Sequence, residues 1–190
     1  MSADRNIESG KVALYAKSIL ECAGGDRDRI VMLDTQLREL VQAYYVNKKM
    51  AIVFSEGTNS EAEREKLAAE VFEGFDDMLR PIVVTMAVRG DIPLIHRISE
   101  AYTELAEEAL DAVIVDIVTV VTLDDHLREV IGNKLYKDFG KKAILREHID
   151  PKIIGGITMS AHGRRIDASI ASQLEVARAT LSSTPTGGER

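Results

Sequence analysis

Tryptophan is absent from this sequence, and aromatic residues of any kind fill only 5% of its 190 positions. A hydrophobic core must therefore be built from Leu, Ile, Val and Ala. A chain of this length buries enough surface to fold without disulfides or metals. The one cysteine, Cys22, excludes an internal disulfide and points to a reducing compartment. Basic charge is scarce too: 24 Lys and Arg stand against 31 Asp and Glu, a net charge of −7. Residues 1–111 carry 21 acids and 13 bases, whereas residues 112–190 carry 10 and 11. The acidic first half lacks the clustered positive surface that neutralises phosphates, so no nucleic-acid partner is expected. The unequal balance points to two units with different partners. No apolar run approaches the roughly 20 residues of a membrane-spanning helix. The longest runs are 81–88 and 112–121, and Asp116 interrupts the second. The opening MSADRNIESG has no apolar signal-peptide region. The expectation is a soluble protein, compatible with docking on a membrane assembly.

Motifs that carry chemistry are also missing. His96, His126, His148 and His162 show no metal-ligand spacing, and neither HExxH nor CxxC occurs. Gly24-Gly25 and Gly155-Gly156 sit in no phosphate-cradling pattern. Cys22 has no adjacent cation to lower its pKa and reads as a small core residue. Ser160 and Ser169 lack a nucleophile-elbow context. Asp124-Asp125-His126 reads as acids placed at a helix N-terminus, where the dipole favours them. No catalytic residue, metal site or cofactor is expected. An acidic chain with helical faces and no chemistry fits a binding or scaffolding module.

What is present is periodicity. Val12, Tyr15, Ala16, Ile19, Leu20 and Ala23 recur at helical spacing, predicting a helix over 7–23 that stops at Gly24-Gly25. Asp26 can cap a second helix carrying Ile30, Leu33, Leu37, Leu40, Val41 and Tyr44 on one side. Residues 55–60 read as a loop, and Ser60 with Glu63 has capping-box spacing for a helix continuing through Leu67, Val71, Phe72 and Phe75. Pro81 suits a first helical turn, although the β-branched run after it fits a short strand equally. Gly90 closes that element. Ile95, Ile98, Tyr102, Leu105 and Ala109 mark a long amphipathic helix ending near Asp111.

The pattern then changes. Val113, Val115, Ile117 and Val121 alternate with Ile114, Val118 and Val120, predicting a strand apolar on both faces and therefore central. Leu127, Val130, Ile131 and Leu135 make a helix that stops at Gly140. Residues 141–148 can form a second strand. Ile157, Met159 and Ala161 alternate with polar residues as a half-buried third. Gly163 and Arg164 make a turn, Ile170, Leu174, Ala177 and Leu181 a last helix, and the end from Ser182 a flexible tail. The expected class is α+β.

The stretch His148-Ile149-Asp150-Pro151-Lys152-Ile153-Ile154-Gly155-Gly156-Ile157 resembles the Asp-Pro…Gly-Gly signature of the delta subunit family of F-type ATP synthases, the oligomycin-sensitivity-conferring-protein family. Ile166-Asp167-Ala168-Ser169-Ile170 is similar to that family's Ile-Asp-Gly-Ser segment, which opens the last helix, with Ala168 in the glycine position. Asp167 or Ser169 would still offer a capping oxygen. Val12-Ala13-Leu14-Tyr15-Ala16-Lys17-Ser18-Ile19 resembles the family's opening helix. The likeness spans about residues 7–181.

The resemblance implies a non-catalytic peripheral-stalk connector in a bacterial proton-translocating ATP synthase, without cofactors. Residues 1–111 would form a six-helix bundle on the catalytic head, gripping the N-termini of the alpha subunits. In the family, a groove between the first and fifth helices takes up an amphipathic alpha-subunit helix. Here those helices look like residues 7–23 and 79–89, with Tyr15, Ile19, Val83, Val84 and Ala87 as candidate groove residues. Residues 112–182 would form a small α/β domain of a short sheet and two helices that meets the b subunit, where Lys141, Lys142, Arg164 and Arg165 would suit an acidic partner. Residues 183–190 would be the tail. Asp150, Pro151, Gly155, Gly156, Asp167 and Ser169 would be structural signature positions. The implied location is the cytoplasmic face of the bacterial membrane, held there through the complex.

Overall fold

The computed structural model describes residues 2–54, 59–153, 155–161, 164–169, Ser172 and Leu174. The chain divides into two compact units, one ending at Leu110 and the other beginning at Asp111. The fold class is α+β.

Among the described residues of the first unit there are six α-helices: α1 (Ser2–Cys22), α2 (Arg27–Val46), α3 (Lys48–Val53), α4 (Glu61–Val71), α5 (Leu79–Val88) and α6 (Ile95–Leu110). A single 3-10 turn, Ile92–Leu94, joins the last two. Two of the starts, those of α2 and α4, have a local cause. The Asp26 carboxylate accepts the Asp28 and Arg29 amides at 2.9 and 3.3 Å, satisfying N–H groups that α2 leaves without a helical partner. At α4 the capping box forms: the Ser60 amide donates to Glu63 Oε2 at 2.9 Å, and the Glu63 amide to Ser60 Oγ at 3.3 Å. Those Ser60 contacts hold the Glu63 carboxyl below its usual range.

The segment after Pro81 is helical and not a strand. Leu79, Val83, Met86 and Ala87 lie on one face and are all buried, so packing at helical period overrides the β preference of a Val-rich run. The long helix α6 is the hub, with Ile95, Ile98, Tyr102 and Ala106 fully buried between α1 and α2. The Tyr102 hydroxyl donates to the Ile30 carbonyl at 3.0 Å, and Thr103 Oγ1 donates to the buried Asp34 carboxylate at 2.5 Å. On α4 the buried residues are Arg64 and Ala68, whereas Val71 is 55% exposed. Arg64 earns its burial by donating to the Val88 carbonyl at 2.7 Å, capping the last turn of α5 with a cation.

Asp76 ties α2 to the start of α5. Arg29 Nη2 reaches both Asp76 oxygens, at 3.0 and 3.1 Å, and the Asp76 amide donates to Gln36 Oε1 at 3.0 Å. Burial works to raise this carboxyl, but the Met78 amide and the Arg29 guanidinium outweigh it and hold the pKa below the ordinary 3.8. A depressed acid contributes stability that is present above its unfolded pKa and lost as pH falls through its folded pKa. The urea midpoint of the protein should therefore drop more steeply below about pH 4 than that of Asp76→Asn, which has no such group to protonate.

The second unit is a four-stranded mixed sheet in the order β2-β1-β3-β4, from β1 (Ala112–Thr119), β2 (Lys142–Ile149), β3 (Gly156–Ala161) and β4 (Arg164–Ser169). Strand β1 is central, parallel to β2 with Asp116 opposite Arg146, and antiparallel to β3 with Asp116 opposite Ser160. The helix α7 (Asp125–Phe139) crosses between the parallel strands and buries Ile131 and Leu135 against Val113, Val115 and Ile117. Asp124 caps it by accepting the Leu127 amide at 2.7 Å, and Gly140 ends it. Arg128 pins the helix to the edge strand through Glu147, at 2.6 and 3.1 Å. On the other face Arg146 pairs with Asp116 at 2.7 Å, and burial pushes its guanidinium down to about 10.

Strand β4 is an element that the sequence did not predict: Asp167 sits inside it opposite Thr158, and Ser169 is its last residue, opposite Gly156. The alternation of Arg165, Asp167 and Ser169 with Ile166 and Ala168 is a strand period, continuing the pleat of β3. The turn at Gly163 and most of the last helix lie outside the described residues.

Candidate functional site

The residues singled out from the sequence place the candidate site on α1 and α5 of the first unit. Helix α1 packs along α6 and α5 along α4, while α1 and α5 touch each other only sparingly. The groove expected from the resemblance would therefore lie between two helices that do not share an extensive seam.

The five candidate residues fall unequally around that space. Tyr15, Ile19, Val83 and Ala87 are buried within the first unit, and Val84 alone is half-buried. The spacing that marked them as an apolar face is the spacing of a core stripe. Two apolar residues that the sequence reading passed over are open to solvent: Ile7 and Leu14, 61% and 62% exposed on α1. They stand seven residues apart, on the side of α1 away from its buried stripe.

The polar contact between α1 and the end of α5 was not legible in the sequence. Asp91, 5% exposed, accepts a hydrogen bond from Lys11 Nζ at 2.7 Å and another from the Tyr15 hydroxyl at 2.9 Å. Burial first, and then the neighbouring Asp91 carboxylate, raises the Tyr15 phenol above its ordinary 10.0. Nearby, Arg97 of α6 reaches Glu8 at 2.9 Å and Ser9 at 3.1 Å.

In the second unit the signature residues build a turn. The Asp150 amide donates to the Thr119 carbonyl at 2.8 Å, and its carboxylate accepts the Lys152 amide at 2.9 Å. Pro151 lies exposed in that turn. Gly156 starts β3 at a φ of 89°, a region that L side chains avoid, which is why glycine is placed there. Of the four cations considered for an acidic partner, Lys141 meets Asp111 at 3.0 Å, and Arg165 lies 3.7 Å from Asp167. Lys142 is exposed on the edge strand, and the side chain of Arg164 lies outside the described part.

Among the described residues no cluster of three or more His, Cys, Asp and Glu side chains could hold a metal, and no helix is long and apolar enough to cross a membrane. His162 lies outside the described residues.

The model of the ATP synthase delta (OSCP) subunit family matches residues 12–181. The chain is 24% identical over 171 residues to the ATP synthase subunit delta of Rubrobacter xylanophilus, covering 90% of this chain and 95% of that one. It is 28% identical over 175 residues to the ATP synthase subunit delta of Clostridium kluyveri, covering 88% and 83%. Both alignments run through the two units, across the helices, the sheet and the Asp150–Gly156 turn. The match over most of the length means that the chain belongs to the ATP synthase delta (OSCP) subunit family, a structural and non-catalytic component of the ATP synthase.

Proposed function

We propose that this chain joins the catalytic head of an F-type ATP synthase to its peripheral stalk, with the first unit gripping alpha-subunit N-termini and the second meeting the b subunit. The six helices of residues 2–110 act as the head-binding bundle. The observation that carries this reading is the sparse contact between α1 and α5, flanked by the half-buried Val84. A helix laid there would cover Val84 and pack against both α1 and α5. Family membership supports the same assignment. The protein works at the cytoplasmic face of the bacterial membrane, held there through its partners.

The task is mechanical. Rotation of the central stalk puts a torque on the head, and a connector resists it through buried apolar anchors and a polar rim that fixes register. A helix-in-groove contact needs no moving part in the connector itself.

The test is calorimetric titration of the full chain with a peptide matching the N-terminal segment of the alpha subunit from the same cell. Saturable one-to-one binding is expected. A folded chain that takes up no peptide would overturn the head-binding assignment while leaving the fold and family standing.

A further inference from the structure

We propose that Asp91 is a positioning residue that fixes the spacing of α1 and α5, and with it the width of the slot that receives the partner helix. The inference rests on the docking reading above and adds the device that sets its geometry.

The mount is rigid on one side. Gly90 takes a φ of 72°, its amide donates to the Ala87 carbonyl at 3.2 Å, and the Asp91 amide donates to the Met86 carbonyl at 2.8 Å. This arrangement is how a helix end is closed by a left-handed residue, and it leaves the Asp91 side chain fixed to the last turn of α5. The Leu94 amide donates to the Asp91 carbonyl at 2.9 Å, which starts the 3-10 turn. Both directions of the chain thus hold this one residue.

The other side of the contact is α1. Lys11 and Tyr15 are four residues apart, so both project from the same face of the helix toward one carboxylate. Each takes a different oxygen, Oδ1 and Oδ2, so the carboxylate is gripped at two points and cannot swivel freely. Asp91 is 5% exposed, and a hydrogen bond to a charged acceptor in such a place is among the stronger kinds. Because contact between α1 and α5 is sparse, this polar clasp is a directional restraint between the two walls. Its ends are chemically unequal. Tyr15 is buried, whereas Lys11 keeps 45% of its side chain in solvent, so the clasp lies at the margin of the slot.

The experiment places spin labels at Leu14→Cys and Thr85→Cys, both exposed, in a full-length Cys22→Ser background, and measures the distance distribution between them. Asp91→Asn should broaden that distribution while helix content is retained, and should weaken binding of the alpha N-terminal peptide about tenfold. Lys11→Met with Tyr15→Phe breaks the same contacts from the other side and should reproduce both effects. Adding Asp91→Asn to that pair should change little further, since all three residues act as one unit. If Asp91→Asn fails to fold, the Lys11→Met/Tyr15→Phe pair carries the test alone. A distribution as narrow as that of the parent overturns the proposal, whatever the peptide does. A broadened distribution in a chain whose parent binds no peptide supports the clasp and overturns the docking reading instead.

Discussion

Val84→Glu should sharply weaken the proposed head binding without unfolding the protein. Of the five apolar residues singled out on α1 and α5, Val84 is the one that keeps surface. In the free chain its replacement can turn a carboxylate to water, and glutamate is at least as good a helix former as valine. Because Val84 is half-buried, the expected loss of folding stability is about 1 kcal/mol, as for an ordinary single substitution, which leaves the chain folded. In the docked state the same carboxylate would be trapped against apolar side chains with no cation to pair it, which costs several times more. Affinity for the alpha N-terminal peptide should fall about a hundredfold, equivalent to about 2.7 kcal/mol. In membrane vesicles whose synthase carries this variant, proton-driven ATP synthesis should collapse while ATP hydrolysis by the head persists. An unaltered rate of coupled synthesis would remove Val84 from the interface.

The largest effect on folding should come from the hub of the first unit. Ile98 is fully buried on α6, the helix that packs against both α1 and α2. Truncation to alanine removes three carbons from a place where neither neighbour can close up freely, since each is held elsewhere. On the α2 side Tyr102 is tied to the Ile30 carbonyl and Thr103 to Asp34, and on the α1 side Arg97 is tied to Glu8 and Ser9. Ile98→Ala should therefore cost about 2–5 kcal/mol. Total stabilities are about 5–15 kcal/mol, so the loss should be plain as a lowered denaturant midpoint. Glu104→Ala, on the exposed side of the same helix, should leave the midpoint nearly unchanged and serves as the control. A loss below about 1 kcal/mol for Ile98→Ala would mean that the packing around α6 relaxes far more than this arrangement implies.

Much of this architecture is written in local signals. Asp26 caps α2, Ser60 and Glu63 form their box, and Gly140 stops α7, because caps act over three or four residues and depend little on the rest of the chain. Strand β1 announces its central place through apolar residues on both faces, and it does lie between β2 and β3. What escaped was either short or distant. Helix α3 has six residues, too few for a periodic pattern to emerge. Strand β4 has the right alternation, but its likeness to a helix-opening motif concealed it. On α4, Arg64 goes inside and Val71 outside because a carbonyl 24 residues away needs a donor. The Asp91 clasp joins residues 76 and 80 positions apart. Its only local trace is an acid placed directly after a helix-closing glycine, with Lys11 and Tyr15 at i, i+4 spacing far upstream. The candidate groove was half legible: periodicity identifies the right helices, but it marks the residues that fill the core more readily than those at the rim.

The parallel pairing of β1 with β2 carries a consequence for the chain as it is made. Every helix of the first unit packs against others completed before residue 111, so that unit can form while the rest is still being synthesised. Strand β1 cannot do the same. Its parallel neighbour ends at Ile149, 30 residues after Thr119, and β3 comes later still. At synthesis rates of about 5–20 residues per second, this apolar strand waits about 2–6 seconds for its first partner. Through that interval its edges are unpaired, and until α7 is complete at Phe139 both faces are bare, so the nascent chain is most open to aggregation and to chaperone capture between the completion of β1 and the arrival of β2.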